Sequence, residues 1–446
     1  MQAIDTLLCA RWVVPVEPRG VLLEDHAVAI ADGRIVALLP REEAETRFEA
    51  HTRIDLAEHA LLPGLVNAHT HAAMTLLRGL ADDLPLMTWL QEHIWPAEAR
   101  WVSEEFVRDG TRHAAAEMLR SGTTCFNDMY FFPDVTARVA SAAGIRSMVG
   151  LIAIDFPTVW ASNADEYLDK GLAVHDEFRH DALVRTAFAP HAPYTVSDGP
   201  LERIRVLADE LDIPIHMHVH ETAHEVEQAL ATHGERPLER LARLGLLSPA
   251  LLAVHMTQLE DDDVARVADA GVRVVHCPES NLKLASGFCP VAKLQAAGVT
   301  VALGSDGAAS NNDLDLIGEM RTAALLAKAV SGDASALPAA RALEMATLDG
   351  ARALGWDDEI GSLVPGKAAD LVAVRLTGVS TEPLYHPLSA IVYALDRGRV
   401  CDVWVAGQHL LRDRRLTSLD EDEILATARR WGTRIARSDT AGGDPG

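Results

Sequence analysis

Two histidines separated by one residue provide the first chemical signal in this chain. His69 and His71 end an apolar segment that begins at Leu61. In an extended strand, residues i and i+2 point to the same side, so both imidazoles can reach one ion. Imidazole is the commonest metal ligand in proteins, and catalytic zinc sites take about three protein ligands and a water molecule. The segment therefore predicts a metal site that draws further ligands from elsewhere in the chain.

Other histidines and one aspartate lie at or just after further apolar, strand-like segments. A single histidine at a strand end is usually structural, whereas the joint pattern favours one shared site. Three of these histidines have the same strand parity, so alternation alone does not decide which of them binds the metal. The residues concerned are His191, His216, His218, His220, His255 and Asp306.

Eight apolar segments alternate with helical stretches, a pattern typical of βα units around a parallel sheet. No Gly-rich nucleotide loop follows the first of them, which argues against a doubly wound open sheet. We therefore predict an α/β fold with a (β/α)8 TIM-type barrel, whose active site lies where the polar residues fall, at the carboxyl ends of the strands. The predicted strands are 65–67, 123–127, 146–151, 184–189, 215–219, 251–255, 272–276 and 300–306.

Short strand-like segments also occur at both ends of the chain, with too few at either end to form a domain alone. We predict that they combine into one small β-sandwich domain. A Ser/Asp/Gly-rich end predicts a flexible tail. The predicted divisions are 1–62 for the first part of the sandwich, 63–363 for the barrel, 364–437 for the second part with a terminal helix, and 438–446 for the tail.

Composition narrows the classes of partner. The chain has 446 residues, which suits a large barrel with a companion domain. Its net charge of −25 argues against nucleic acid and anionic membranes as partners, because both require basic patches. There is no apolar run of about 20 residues and no signal-peptide pattern at the N-terminus. The five cysteines form no CxxC pair, which favours reduced thiols. We expect a cytoplasmic protein that acts on a small molecule.

In their order and spacing, these motifs resemble the amidohydrolase superfamily and its deaminase branch. The segments that carry the resemblance are His69-Thr70-His71, His218-Val219-His220-Glu221, His255, Gly304-Ser305-Asp306 and 361–371. The resemblance implies four metal ligands, namely His69, His71, His218 and Asp306. His218 is preferred because the ligand of the family lies three residues before a catalytic glutamate, here Glu221. On geometry alone His216 remains a competing ligand, and we interpret His220 as structural.

The resemblance also implies a mechanism. Two-metal members of the superfamily usually carry a lysine at the end of the fourth strand, and the segment 184–190 has none. We therefore expect one ion, Zn²⁺, although Fe²⁺ also suits N and O ligands. The metal activates a water molecule. Asp306 would accept the water proton, His255 would stabilise the developing negative charge, and Glu221 would carry a proton to the ring and then to the departing amine.

Within this branch, the segments 89–99, 189–197 and 278–287 resemble 5-methylthioadenosine/S-adenosylhomocysteine deaminases. Glu98 would then accept hydrogen bonds from the ribose hydroxyls. Family members that use S-adenosylhomocysteine hold its amino-acid tail with arginines after the third strand, and the segment 151–160 contains no arginine. We therefore expect deamination of 5′-methylthioadenosine or adenosine ahead of S-adenosylhomocysteine. The implied substrate-binding residues are Trp89, Glu98, His191, Glu221 and Ser310.

Two alternatives stay open. An aminohydrolase or chlorohydrolase of another heteroaromatic ring, such as guanine, a pterin or an s-triazine, would use the same catalytic residues. Glu98 distinguishes the two readings, because a carboxylate suits the vicinal diol of a ribose. The alternative of a different class is a non-catalytic metal-binding scaffold, which the presence of Glu221 and His255 beside the ligand set disfavours. A homo-oligomer is expected only from the family.

Overall fold

The computed structural model describes residues 1–441, with side chains described up to residue 437. Its strands form two sheets of eight strands each. The strands are β1 (Gln2–Val13), β2 (Leu23–Ala31), β3 (Arg34–Pro40), β4 (Phe48–Pro63), β5 (Leu65–Thr70), β6 (Thr123–Asp128), β7 (Arg146–Ala153), β8 (Val184–Pro190), β9 (Ile215–Val219), β10 (Leu251–His255), β11 (Arg273–His276), β12 (Val301–Leu303), β13 (Leu371–Arg375), β14 (Val400–Val405), β15 (Gln408–Arg412) and β16 (Arg415–Leu416).

Most of the helices lie between β5 and β13 in the chain. They are α1 (Arg41–Arg47), α2 (Leu86–Thr88), α3 (Trp95–Trp101), α4 (Glu104–Arg120), α5 (Pro133–Ala143), α6 (Ala164–Phe178), α7 (Asp198–Leu211), α8 (Ala223–His233), α9 (Pro237–Arg243), α10 (Asp261–Asp269), α11 (Pro278–Lys283), α12 (Val291–Ala296), α13 (Leu316–Ser331), α14 (Ala339–Met345), α15 (Leu348–Ala353), α16 (Pro387–Tyr393) and α17 (Glu421–Ala441). Ala72–Leu77 and Arg397–Arg399 form 3₁₀ turns, and Trp89–Ile94 is a π-helical turn. Within residues 1–441, no helix has the length and apolar character required to cross a membrane.

Strands β5 to β12 form a parallel barrel in sequence order. Every residue of β6 and β7 is buried, as expected for parallel strands that are covered on both faces. The seam between the first and last strands closes just beyond β12, where the N–H of Asp306 donates to the main-chain oxygen of His69 at 3.0 Å. Thr70 and Asp306 also form a parallel bridge there. The predicted (β/α)8 barrel is confirmed, and each predicted strand overlaps one of β5 to β12.

The second sheet takes its strands from both ends of the chain, as predicted. Its order is β16-β15-β14-β13-β4-β1-β2-β3, so that β4 joins the C-terminal strands to the N-terminal ones. The edge strand β3 curves back to the segment that precedes β13. There the Ile35 N–H donates to Lys367 O at 2.9 Å, and Ile35 O accepts the Gly366 N–H at 2.8 Å. Leu8, Leu61 and Trp404 share one buried cluster inside this curve. The predicted sandwich is therefore one continuous, curved sheet with its own core.

The terminal helix packs on the barrel. Trp431 of α17 donates from Nε1 to Asp109 Oδ2 of α4 at 3.0 Å, and its ring meets those of Trp101 and Phe106 edge-on. The helix is described up to Ala441, so it enters the segment 438–446 that is predicted to be a flexible tail. Residues 442–446 lie outside the described residues, and the domain divisions stay predictions.

A buried ion pair connects the two sheets. Arg146 opens β7, and Asp370 precedes β13 of the terminal sheet. Arg146 Nε lies 2.7 Å from Asp370 Oδ2, and Nη2 lies 3.1 Å from Oδ1, so the pair is bidentate. Asp370 Oδ1 also accepts the Ala406 N–H at 2.8 Å. Both side chains are buried, so each charge is compensated by the charge of the other.

Arg146→Ala is expected to lower the free energy of unfolding by about 3–5 kcal/mol, because Asp370 would stay buried without its cation. Arg138→Ala is the matched control, since Arg138 pairs with Asp134 at the surface and its loss should cost less than about 1 kcal/mol. Denaturant titration of both variants beside the wild type measures the difference. Equal shifts in the two variants would contradict a structural role for the buried pair.

Candidate active site

Four side chains with metal-binding groups meet at the carboxyl end of the barrel. They are His69, His71, His218 and Asp306, and one ligand atom from each lies within 4.8 Å of all the others. Asp306 Oδ1 is 3.2 Å from His69 Nε2 and 3.1 Å from His71 Nε2. His218 Nε2 is 3.2 Å from His69 Nε2. The fold therefore brings together the four residues predicted to be ligands. His69 lies on β5, His71 directly after it, His218 on β9, and Asp306 in the turn after β12.

The hydrogen bonds of the ring nitrogens that point away from the metal-binding group show which nitrogens face it. His71 Nδ1 lies 2.6 Å from Met129 O, and His218 Nδ1 lies 2.8 Å from His191 O. A carbonyl oxygen only accepts, so each Nδ1 carries the hydrogen and each Nε2 presents a lone pair to the group. Neutral imidazoles with one carboxylate are a donor set that Zn²⁺ and Fe²⁺ both accept. The residues therefore fit a metal ion.

His216 and His220 have different places from His218, although all three share strand parity. His216 is fully buried behind His69, and its Nε2 lies 2.9 Å from His69 Nδ1. His220 has a φ of 52° and turns to main-chain groups, with Nδ1 3.0 Å from Gln258 O and Nε2 accepting the Leu238 N–H at 3.3 Å. His216 thus orients a ligand from behind, and His220 holds the turn after β9.

Glu221 and His255 lie beside the metal-binding group. Glu221 Oε2 is 3.8 Å from His255 Nε2, and both side chains are buried. Burial raises the pKa of the Glu221 carboxyl, while His255 lowers it by a smaller amount. His255 Nδ1 lies 2.8 Å from Asn281 Oδ1, which fixes the ring so that Nε2 faces the site. A buried carboxyl of raised pKa next to an imidazole is suited to proton transfer.

The second oxygen of Asp306 is held by two hydroxyl groups. Ser280 Oγ donates to Asp306 Oδ2 at 2.7 Å, and Ser310 Oγ donates at 3.0 Å. Ser310 is predicted to bind substrate, and its hydroxyl is engaged with Asp306 while the residue also lines the cavity. The sequence does not predict these roles of Ser280 and Asn281. Both residues lie in the segment 278–287 that carries the resemblance, just after the β11 segment.

A cavity of about 480 Å³ opens onto the group. Glu221 and all the other residues predicted to bind substrate line it. Enclosure raises the pKa of Glu98 to about 7, against smaller lowering effects of the Tyr130 hydroxyl and His71. Desolvation lowers the pKa of His191 to about 3, so its imidazole is neutral. The described residues that line the cavity include no lysine or arginine. The apolar walls include Trp89, Leu90, Ile94, Trp95, Phe131, Ile154, Phe156 and Val159.

His218→Ala is expected to lose the bound metal, because His218 Nε2 is one of the four converging atoms. His220→Gln is the matched control and should keep it, since the His220 imidazole bonds only to main-chain groups in the described structure. His216→Ala should weaken metal affinity by about 10- to 100-fold through the freed His69 ring. Elemental analysis after dialysis against a competing chelator measures all three. Wild-type metal content in His218→Ala would refute this ligand assignment.

Comparison with known proteins identifies the family of the chain. Residues 60–410 match the amidohydrolase family. The chain is 50% identical to a 5-methylthioadenosine/S-adenosylhomocysteine deaminase of Teredinibacter turnerae, over 97% of this chain and 98% of that protein. It is 57% identical to an adenosine deaminase from Xanthomonas campestris solved with bound zinc, with a TM-score of 0.97 over 98% of this chain and 99% of that one. A triazine hydrolase from Arthrobacter aurescens is 25% identical, with a TM-score of 0.89 over 96% and 99% of the two chains. The chain belongs to the amidohydrolase family.

Proposed function

We propose that this protein is a metal-dependent hydrolytic deaminase of adenine nucleosides that converts 5′-methylthioadenosine into its inosine analogue and ammonia. One observation carries the proposal: a single cavity joins the metal-binding group, the Glu221–His255 pair and Glu98. The likeness to the Teredinibacter and Xanthomonas deaminases supports it. Zn²⁺ is the proposed ion, and one ion is proposed because β8 has no lysine at its end.

The residues of the chain supply the proton transfers. His69, His71, His218 and Asp306 would hold the metal ion, which would supply an activated water molecule for attack on the amidine-like ring carbon. Asp306 accepts a proton from that water while its Oδ2 stays bonded to two hydroxyls. His255 hydrogen-bonds the attacking oxygen as negative charge develops on it. Glu221 gives its carboxyl proton to the ring nitrogen as the oxygen adds to the ring carbon. It then takes the remaining proton of the added hydroxyl and passes it to the amino group, so that the C–N bond breaks and ammonia leaves. The proton held by Asp306 returns to Glu221 and restores both carboxyl groups.

The remaining cavity residues hold the nucleoside in this proposal. The Glu98 carboxylate accepts hydrogen bonds from the ribose hydroxyls, and such bonds to an ionised group are stronger than neutral ones. His191 contacts the purine or the ribose through its neutral ring. Trp89 gives apolar cover to the nucleoside. Ser310 contributes near the sugar through its position on the cavity wall.

The cavity walls favour a neutral 5′ substituent. Phe131, Phe156 and Val159 supply apolar surface, and the described lining residues include no cationic side chain of lysine or arginine. The amino-acid tail of S-adenosylhomocysteine carries an ammonium and a carboxylate, and charged groups lose stability when they leave water without partners. We therefore propose 5′-methylthioadenosine or adenosine as the substrate ahead of S-adenosylhomocysteine.

A second candidate function is the hydrolysis of an amino or chloro group on another heteroaromatic ring, such as guanine, a pterin or an s-triazine. The likeness to a triazine hydrolase favours it, because that fold carries a related reaction. The same attacking water and the same proton carriers would serve. The two functions differ in what Glu98 contacts, since a sugar-free ring offers no vicinal diol.

Incubation of the metal-replete protein with 5′-methylthioadenosine is expected to release ammonia as the adenine absorbance falls. Its kcat/KM should exceed that for S-adenosylhomocysteine by at least about tenfold, which corresponds to roughly 1.4 kcal/mol of discrimination. Adenosine, guanine and an s-triazine are the comparison substrates. No turnover of any adenine nucleoside, with zinc verified as bound, would refute the proposed function, and turnover of a sugar-free ring alone would favour the second candidate.

Glu98→Gln is expected to lower kcat/KM for 5′-methylthioadenosine by about 10- to 150-fold, because hydrogen bonds to a charged group contribute about 1.5–3 kcal/mol. Glu92→Gln is the matched control, since Glu92 is an exposed glutamate of the same helical segment. Steady-state kinetics of both variants makes the comparison. Unchanged kinetics in Glu98→Gln would show that this carboxylate does not bind the ribose.

A further inference from the structure

The main chain of Glu221 is held on both of its sides by buried side chains that do not line the metal-binding group. We propose that Glu225 and Thr257 form a peptide clamp, which fixes the Glu221 main chain and thereby positions its carboxylate beside His255. Both are then positioning residues for the deamination, and this inference rests on the proposed function. The clamp is defined here as Glu225, Thr257 and the His220–Glu221 peptide that they hold.

Glu225 holds the N–H side. Its Oε2 accepts the Glu221 N–H at 2.7 Å, and its Oε1 accepts the His220 N–H at 3.0 Å. The side chain is buried, so water does not compete effectively for these two donors. Two consecutive main-chain N–H groups donate to the two oxygens of one carboxyl, and together these bonds fix both the position and the tilt of the peptide between them.

This contact goes beyond ordinary helix capping. Thr222 is the N-cap of α8, and its Oγ1 accepts the Glu225 N–H at 3.3 Å. In a capping box, the glutamate at this place reaches back to the N–H of the N-cap residue. Here the carboxyl extends further, to the two residues that precede the N-cap. The first turn of α8 therefore contains a glutamate whose side chain holds the preceding turn, which carries Glu221.

Thr257 holds the carbonyl side. Its Oγ1 donates to Glu221 O at 2.6 Å, and its N–H donates to His220 O at 3.0 Å. Thr257 lies two residues beyond His255, which ends β10. The clamp thus connects the turn that carries Glu221 to the strand that carries His255. It fixes the relation between the two groups that are 3.8 Å apart in the site.

The turn requires such support because its backbone is unfavourable. His220 has a φ of 52°, in the left-handed region that residues with a side chain rarely adopt. A conformation of this kind persists when surrounding contacts over-determine it. Without the clamp, the turn is free to relax towards extended backbone, and the Glu221 carboxylate would move away from His255.

The test is a double-mutant cycle on the zinc-loaded protein with 5′-methylthioadenosine as substrate. Glu225→Gln places an amide donor against the main-chain donors and should lower kcat by about 10- to 100-fold, with KM and zinc content close to wild type. Because Glu225 acts through Glu221, the double variant Glu221→Gln/Glu225→Gln should be no slower than Glu221→Gln alone. Glu227→Gln, an exposed glutamate on α8, is the control that should leave kcat unchanged.

Thr257 provides a second test that leaves Glu225 in place. Thr257→Val removes the hydroxyl and should lower kcat, whereas Thr257→Ser keeps the hydroxyl and should restore it. The clamp is refuted if Glu225→Gln and Thr257→Val both turn over within twofold of the wild type, or if the effects of Glu221→Gln and Glu225→Gln multiply. An inactive wild type would instead refute the proposed function, so the two failures are distinguishable.

Discussion

Three imidazole nitrogens and one carboxylate oxygen converge in a buried space, and a cation between them would bond to all four at once. The acceptor atoms of His69, His71 and His218 face one another because the opposite ring nitrogens are already engaged. Other residues at the carboxyl end of the barrel hold these four side chains in position. Asp306 contributes the carboxylate oxygen and itself has a φ of 60°. The hydroxyls of Ser280 and Ser310 bond its other oxygen, Oδ2, and hold the side chain in place.

The site has a floor of polar, chemically reactive groups and a wall that is mostly apolar. Further side chains hold the floor in place, as Asn281 holds His255 and His216 holds His69. Part of the wall comes from the segment after β5, which contributes Trp89 and Glu98 and packs in one apolar cluster with α17. In the proposed function the floor carries the proton transfers, and the wall contacts the nucleoside.

Local sequence patterns predicted the features that depend on residues close together in the chain. Apolar segments gave the eight barrel strands, and the spacing of His69 and His71 gave half of the metal group. The place of His216 was not predictable, because its parity equals that of His218 and only depth along the barrel separates them. In the sequence, Glu225 looks like an ordinary glutamate in the first turn of a helix. Its main-chain contacts are not predictable, because they depend on the bend at His220. The π-helical turn at Trp89–Ile94 carries no periodic signal of its own.

The seam of the barrel has a consequence for how the protein is made. His69 and Asp306 are 237 positions apart, at opposite edges of the barrel sheet. During synthesis the ribosome releases His69 and His71 first and His218 later, and Asp306 emerges last of the four. All four side chains come together only after the last strand has joined the first. Binding of a metal ion by the complete group therefore has to follow closure of the barrel.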